Sequence, residues 1–312
     1  MPDVAVHASF SKEVLRSLPP EIRGAILRDP YDFGAYGPDL WFMHRPWVRR
    51  EGRGRRMHTT RTGAFLTALA RQGKTGGSRA ELFSYLAGFL CHYALDAEAH
   101  PYIIRRTTTE FHYPRAHMSF EHSLDVCQMA RDGVWGEKHP VTEHYFLPLS
   151  LPASMARDLD AVYREVYGWP DCTRALNRAF RRYRRCYRAM ENPRGLAAFL
   201  ARRAKKSVLP ALVYSESFFR EVDVENEVGA EWRHSHEDSL RSQETFAQLR
   251  EKARRRAVEM IEAAWRWIYM DQGTEEDLAR LIGNDSYLSG LPVDDPRNLN
   301  VPSLLPPETN LK

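Results

Sequence analysis

An all-α fold is predicted by two observations: apolar residues recur at helical spacing along most of the chain, and no run of alternating β-branched residues is present. Ser78-Arg79-Ala80-Glu81 is a capping-box pattern that opens a helix through about Ala99, and Pro101 disfavours helical backbone at His100. A second helix is expected from Pro114 to Arg131, while Asp39 falls in the Gly- and Pro-containing loop GAYGPDLWF. Beyond Val141 the expected helices are 152–167, 172–191, 194–207 and 238–271, rich in Arg and Tyr. From Pro292 the chain reads as an irregular tail. The expected organisation is a core over 1–140, a helical C-terminal elaboration packed on it over 141–291, and a tail over 292–312.

With 312 residues, 43% of them apolar, the chain can bury a substantial core. Its apolar runs, such as LAGFL, fall far short of the roughly 18 residues that span a bilayer. The segment MPDVAVHASFSKEVLRSL has neither a basic leader nor a sustained apolar stretch, so a cytoplasmic location is expected. Cys91, Cys127, Cys172 and Cys186 form no C-x-x-C and are expected to be reduced, buried thiols. Lys plus Arg number 45 against 41 Asp plus Glu, a net charge of +4 that permits an anionic partner without requiring one.

His92, Asp96 and His100 stand four residues apart in LAGFLCHYALDAEAHPYI, and His117 and Glu121 repeat the step. Four residues turn an α-helix by about 400°, which places such side chains one turn apart on one face. Imidazoles mixed with carboxylates suit zinc better than the all-oxygen shells of magnesium or calcium. These residues point to a multi-zinc hydrolase. A single pair at this spacing is weak, because exposed helices use it for ion pairs.

The segments VHASFSKEVL, GAYGPDLWF, HTTRTGAFL, YLAGFLCHYALDAEAHPYI and HMSFEHSLD, in this order, resemble the zinc-dependent phospholipase C family, whose superfamily includes zinc-dependent single-strand nucleases. The resemblance covers about residues 1–135 and places the family pattern on His7, Asp39, His58, His92, Asp96, His100, His117 and Glu121. It implies a phospholipase C-like helical bundle in which Asp39, His58, His92 and Asp96 hold one zinc. His100, His117 and Glu121 would hold another, and Asp96 would bridge to a third that includes His7. In the secreted phospholipases the third site also uses an N-terminal Trp, whereas here Met1-Pro2-Asp3 precedes His7, so the expectation is two zincs and an optional third. Paired zinc ions would activate a water to attack phosphorus and absorb charge on the phosphoryl oxygens. Asp39 is expected to combine metal binding with acceptance of the water's proton.

Other signals have plainer readings. His122 follows Glu121 and points about 100° away from it. His44 and His112 suit solvated or packing roles, and HSHED at 234–238 suits a polar approach to the long helix. Glu231 and His234 form one E-x-x-H where a di-iron bundle needs two, and no His-Asp dipeptide supports an HD phosphohydrolase. The basic stretches 178–188, 201–206 and 250–256 suit phosphates or anionic headgroups, but a solvated helix face is the preferred reading. Phe246, Trp265, Trp267 and Tyr269 suit core packing, while Tyr31, Phe33, Tyr36, Trp41 and Phe42 lie near Asp39 and could shape a pocket.

The leading expectation is a zinc-dependent phosphodiesterase of phospholipase C type acting on a phospholipid or related headgroup ester, with peripheral contact to an anionic membrane allowed. A nuclease or nucleotidase on the same metal core is the second, which leaves nucleic acid open as a partner. The third is a zinc-stabilised binding protein without turnover. Open coordination positions would favour catalysis, and closed four-ligand shells the binding protein.

Overall fold

The computed structural model describes residues 4–44, 52–109, 116–135, 141–146, 149–190 and 222–300. Its N-terminal helices are α1 (Val4–Ser17), α2 (Pro20–Ala25) and α3 (Arg28–Gly34), followed by a 3-10 helix over Gly37–Met43. Then come α4 (Arg53–Thr59), α5 (Thr62–Thr75), α6 (Arg79–Thr109), α7 (Ala116–Arg131) and the one-turn α8 (Val141–His144). A 3-10 turn at Ala153–Met155 leads into α9 (Ala156–Tyr167) and α10 (Cys172–Met190). A hairpin, β1 (Trp232–His234) and β2 (Glu237–Ser242), precedes α11 (Phe246–Met270) and α12 (Glu275–Ile282). The fold is therefore predominantly all-α, as expected.

α6 is the axis, with α3, α5, α11, α1 and α7 all packed on it. The expected break at His100 does not occur: the helix runs through Pro101 to Thr109. A proline inside a helix costs about 3 kcal/mol. Phe83, Leu86, Phe89, Leu90, Leu95, Tyr102 and Ile103 are all buried on α6. Each gains about 1.5–3 kcal/mol by leaving water, so their burial outweighs the proline. His100 is thus a helical residue, one turn beyond Asp96.

Three further expectations are corrected. Ser78 and Glu81 do not form a reciprocal box: the Ser78 hydroxyl donates to Ser154 O at 2.8 Å and Glu81 accepts from the Ser154 hydroxyl at 3.1 Å. The long helix starts at Phe246, where Thr245 and Gln248 make the capping box, and HSHED lies in the hairpin instead. Its strands are short and polar, with Glu237–Ser242 mostly exposed, so no alternation marked them. Cys91 and Cys172 are buried free thiols, but Cys127 and Cys186 are half-buried. The expected helix 194–207 lies outside the described residues.

Other elements agree with expectation. α9 and α10 occupy the predicted spans within a few residues, with the N-terminus of α9 preceded by the 3-10 turn. Trp265 stacks on Tyr269 at 4.1 Å, and Phe246 and Trp267 are buried.

Candidate metal centre

α6 carries three of the eight candidate side chains on successive turns, and each neighbouring element adds to them. α1 brings His7, the 3-10 helix Asp39, α4 His58, and α7 His117 and Glu121. His7 Nε2 lies 3.3 Å from Asp96 Oδ1, and His92 Nε2 lies 3.1 Å from Asp96 Oδ2. Asp39 Oδ1 is 3.2 Å from His58 Nε2 and 3.5 Å from His92 Nε2. On the other side, Glu121 Oε1 is 2.9 Å from His117 Nε2 and 3.6 Å from His100 Nε2. His100 Nδ1 comes within 3.7 Å of Asp96 Oδ2, so the eight residues form one continuous cluster.

Ligand atoms within 4.8 Å of one another divide the cluster into Asp39, His58, His92 and Asp96 as one group and His100, His117 and Glu121 as another. These are the two sets that the resemblance implied. His7 belongs to neither and touches the first through Asp96, its ring stacked on that of His92 at 3.9 Å.

Three imidazoles are aimed by backbone carbonyls. Nδ1 of His58 donates to Gly54 O at 2.7 Å, Nδ1 of His92 to Ala35 O at 3.0 Å, and Nδ1 of His100 to Tyr287 O at 2.7 Å. A carbonyl can only accept, so each Nδ1 carries a proton and each Nε2 faces inward, the nitrogen left to offer a lone pair to a metal. Gly37 makes room for this arrangement: a Cβ there would stand 2.3 Å from the His92 ring.

The inner atoms lack partners. His7 Nδ1 and Nε2, Asp39 Oδ1, His58 Nε2, His92 Nε2, both Asp96 oxygens and His100 Nε2 are buried without a hydrogen-bond partner. Each such group costs roughly 1–3 kcal/mol, which a shared cation would relieve. The donor set, imidazole nitrogens with carboxylate oxygens, fits zinc.

Protonation reflects the same crowding. Burial opposes a charge on His92, but Asp96 and Asp39 beside it outweigh burial and push its pKa up to about 10. Burial acts against ionisation of both carboxylates too. Even so, His92 and His58 hold Asp39 below the usual carboxylate range, and His100 and His92 do the same for Asp96. His7 is lowered by burial and by the neighbouring His92, and burial drives His100 down to about 3.

The sequence did not point to the partners outside these candidate ligands. Asp125, buried one turn beyond Glu121, accepts from the Ala5 and Val6 N–H groups at 3.1 and 2.9 Å and so fixes the start of α1 below His7. Its i+4 spacing from Glu121 was a usable signal. Tyr287 was not legible: its N–H donates to His58 O at 2.9 Å while its C=O receives His100. His122 is buried. Of the aromatics near Asp39, Tyr31, Phe33, Tyr36 and Trp41 are buried in the core, and only Phe42 is exposed, its ring 5.2 Å from that of His58. His44 packs edge-on to Trp41, and His112 lies outside the described residues. His234 holds the 286–291 loop by donating from Nε2 to Ser289 O at 2.9 Å.

Comparison with curated proteins and with solved structures returns no match. The model of one family, zinc dependent phospholipase C, matches residues 6–188, reaching past the N-terminal motifs to the end of α10. With the buried His and carboxylate cluster, this match supports a zinc-dependent hydrolase. No helix among the described residues is long and apolar enough to cross a membrane. Because the match takes in more than half of the chain and every element that supplies the eight clustered side chains, the chain belongs to the zinc-dependent phospholipase C family.

Proposed function

We propose that the chain hydrolyses a phosphodiester, with a phospholipid or a related headgroup ester as substrate, using zinc held by the two side-chain groups. The observation that carries this reading is the set of inward-turned Nε2 atoms of His58, His92 and His100 facing Asp39, Asp96 and Glu121. Bound zinc supplies Lewis acidity, which makes a nucleophile available at neutral pH and absorbs charge on the phosphoryl oxygens. His100, His117 and Glu121 offer three ligands, the number that leaves a position open in catalytic zinc sites, and this favours turnover over a binding protein.

Asp39 stays ionised throughout the neutral range and reaches the first group from a 3-10 helix, so it can take the proton of the attacking water. Asp96 lies within 3.3 Å of His7 and 3.1 Å of His92 and is cast as the bridge between the first group and an optional third metal. His117, with 19% of its side chain exposed where its companions are nearly closed off, marks the side from which substrate reaches the metals. A single-strand nuclease would stack successive bases on aromatic rings, and with Tyr31, Phe33, Tyr36 and Trp41 buried, Phe42 is the one exposed ring of that group.

The test has two parts: zinc per chain by elemental mass spectrometry, and hydrolysis of phosphatidylcholine against single-stranded DNA. Two or three zincs with lipid cleavage are expected. Asp39→Asn should reduce turnover by about 100-fold or more while removing less than one zinc. Less than one metal per chain in zinc-supplied protein, or DNA as the better substrate, overturns the proposal.

A further inference from the structure

Charge on this chain is concentrated in one stretch. Residues 172–206 contain twelve Lys and Arg against one acid, Glu191, a net +11 that leaves the remainder of a +4 chain at −7. Within it, α10 has no acidic residue and is strongly two-faced. Phe180, Tyr183 and Tyr187 are buried against Phe33, Tyr36 and Phe146. Arg174, Arg178, Arg181, Arg185 and Arg188 are exposed on the opposite face, and none has an ion pair among the described residues. Steps of four and three residues keep these five within an arc of about 80° and a length of about 21 Å. The preferred reading of a merely solvated face does not explain why five successive cations lack the acidic partners that other exposed helix arginines have, such as Arg255 with Glu251 and Arg280 with Asp277.

We propose that this arginine stripe is a docking surface for an anionic phospholipid bilayer. The inference deepens the phospholipid reading and rests on it. A straight row of five like charges matches a plane of headgroups, and each basic residue near such a surface strengthens binding about fivefold. Nucleic acid fits less well, because the aromatic rings interleaved with these arginines in sequence lie inside the protein, unable to stack on bases. The position also suits the chemistry. α10 packs on the 3-10 helix that carries Asp39, and Arg182 donates to Met43 O at 2.6 Å and His44 O at 3.1 Å. The exposed Phe42 in that same turn offers an apolar contact beside His58.

The experiment is cosedimentation of the full-length, zinc-loaded protein with vesicles of phosphatidylcholine alone or with about 30% phosphatidylserine, in about 0.1 M salt. Binding should require the anionic lipid and be reversed by high salt. The variant Arg178→Gln/Arg181→Gln/Arg185→Gln should bind about 100-fold more weakly, with wild-type melting temperature and zinc content. Should that variant misfold, the all-lysine version at the same three positions should retain binding, since the attraction is to charge. The proposal fails if wild type ignores anionic vesicles, if the folded glutamine variant binds like wild type, or if single-stranded DNA outcompetes the vesicles. No turnover enters this readout, so a chain that docks but cleaves no phospholipid would refute the hydrolase reading and leave the docking result standing.

Discussion

Asp96 is the residue on which the centre turns, because its two oxygens face His7 on one side and His92 and His100 on the other. Asp96→Asn should therefore cost more than one zinc per chain, whereas Glu121→Gln should empty only the group that contains His100 and His117. Elemental analysis of the two purified variants checks this, and full zinc content in Asp96→Asn would remove the bridge. A second prediction concerns protons. The metal-free pKa of His92 near 10 lies above its ordinary value, so His92 is charged from neutral pH up to about pH 10 and must lose that proton when its Nε2 binds zinc. His100, already neutral above about pH 3, releases none. Zinc uptake at pH 8 should thus liberate close to one proton from the first group, with affinity rising as pH rises towards 10. Calorimetry in two buffers of different ionisation enthalpy measures it, and identical heats would contradict it. All eight of these side chains were legible in the sequence because their chemistry sits in the residue type. Ala35, Gly54 and Tyr287 were not, because they act through backbone carbonyls that every residue owns.

Among the elements, α6 shows how packing overrides a local signal. Pro101 has no N–H for the carbonyl of Ala97, and the loop after α12 closes against that gap, with Gly290 at φ +65°. A Cβ at Gly290 would stand 2.3 Å from Ala97 O. Gly290→Ala should then cost about 1–3 kcal/mol in strain, displace Tyr287 from His100, and weaken zinc at the second group by about 10–100-fold. Chelator competition beside a denaturation midpoint separates the two effects, and unchanged affinity would release the loop from any role in aiming His100. The helix was predicted to end near Ala99 because proline rules describe isolated backbone. They take no account of the apolar side chains that bury the helix on every side. The hairpin escaped for the opposite reason, since its polar strands have no buried face to impose alternation.

At the scale of the whole molecule, metal and fold should be linked, since the centre joins α1, the 3-10 helix, α4 and α6 through buried atoms of His7, Asp39, His58, His92, Asp96 and His100 that have no hydrogen-bond partner, and α7 adds His117 and Glu121 to it. Removing zinc with a chelator should lower the melting temperature by about 10 °C, and restoring it should recover the loss; a melting curve indifferent to chelation would mean that the cluster is stable without metal. The outer wall of that centre comes from far along the chain. Asn284 accepts from Thr62 and Gly63, Arg256 ties Asp285 at 2.6 Å, and Tyr287 spans His58 and His100. These residues lie beyond the 6–188 span that identifies the family. Synthesis gives this arrangement an order in time. The last of the eight side chains, Glu121, precedes the carbonyl of Tyr287 by 166 residues. At about 5–20 residues per second, that carbonyl arrives some 8–30 seconds later. Until then His100 lacks the carbonyl that orients its ring, so a nascent chain holds all eight candidate side chains and an unfinished site.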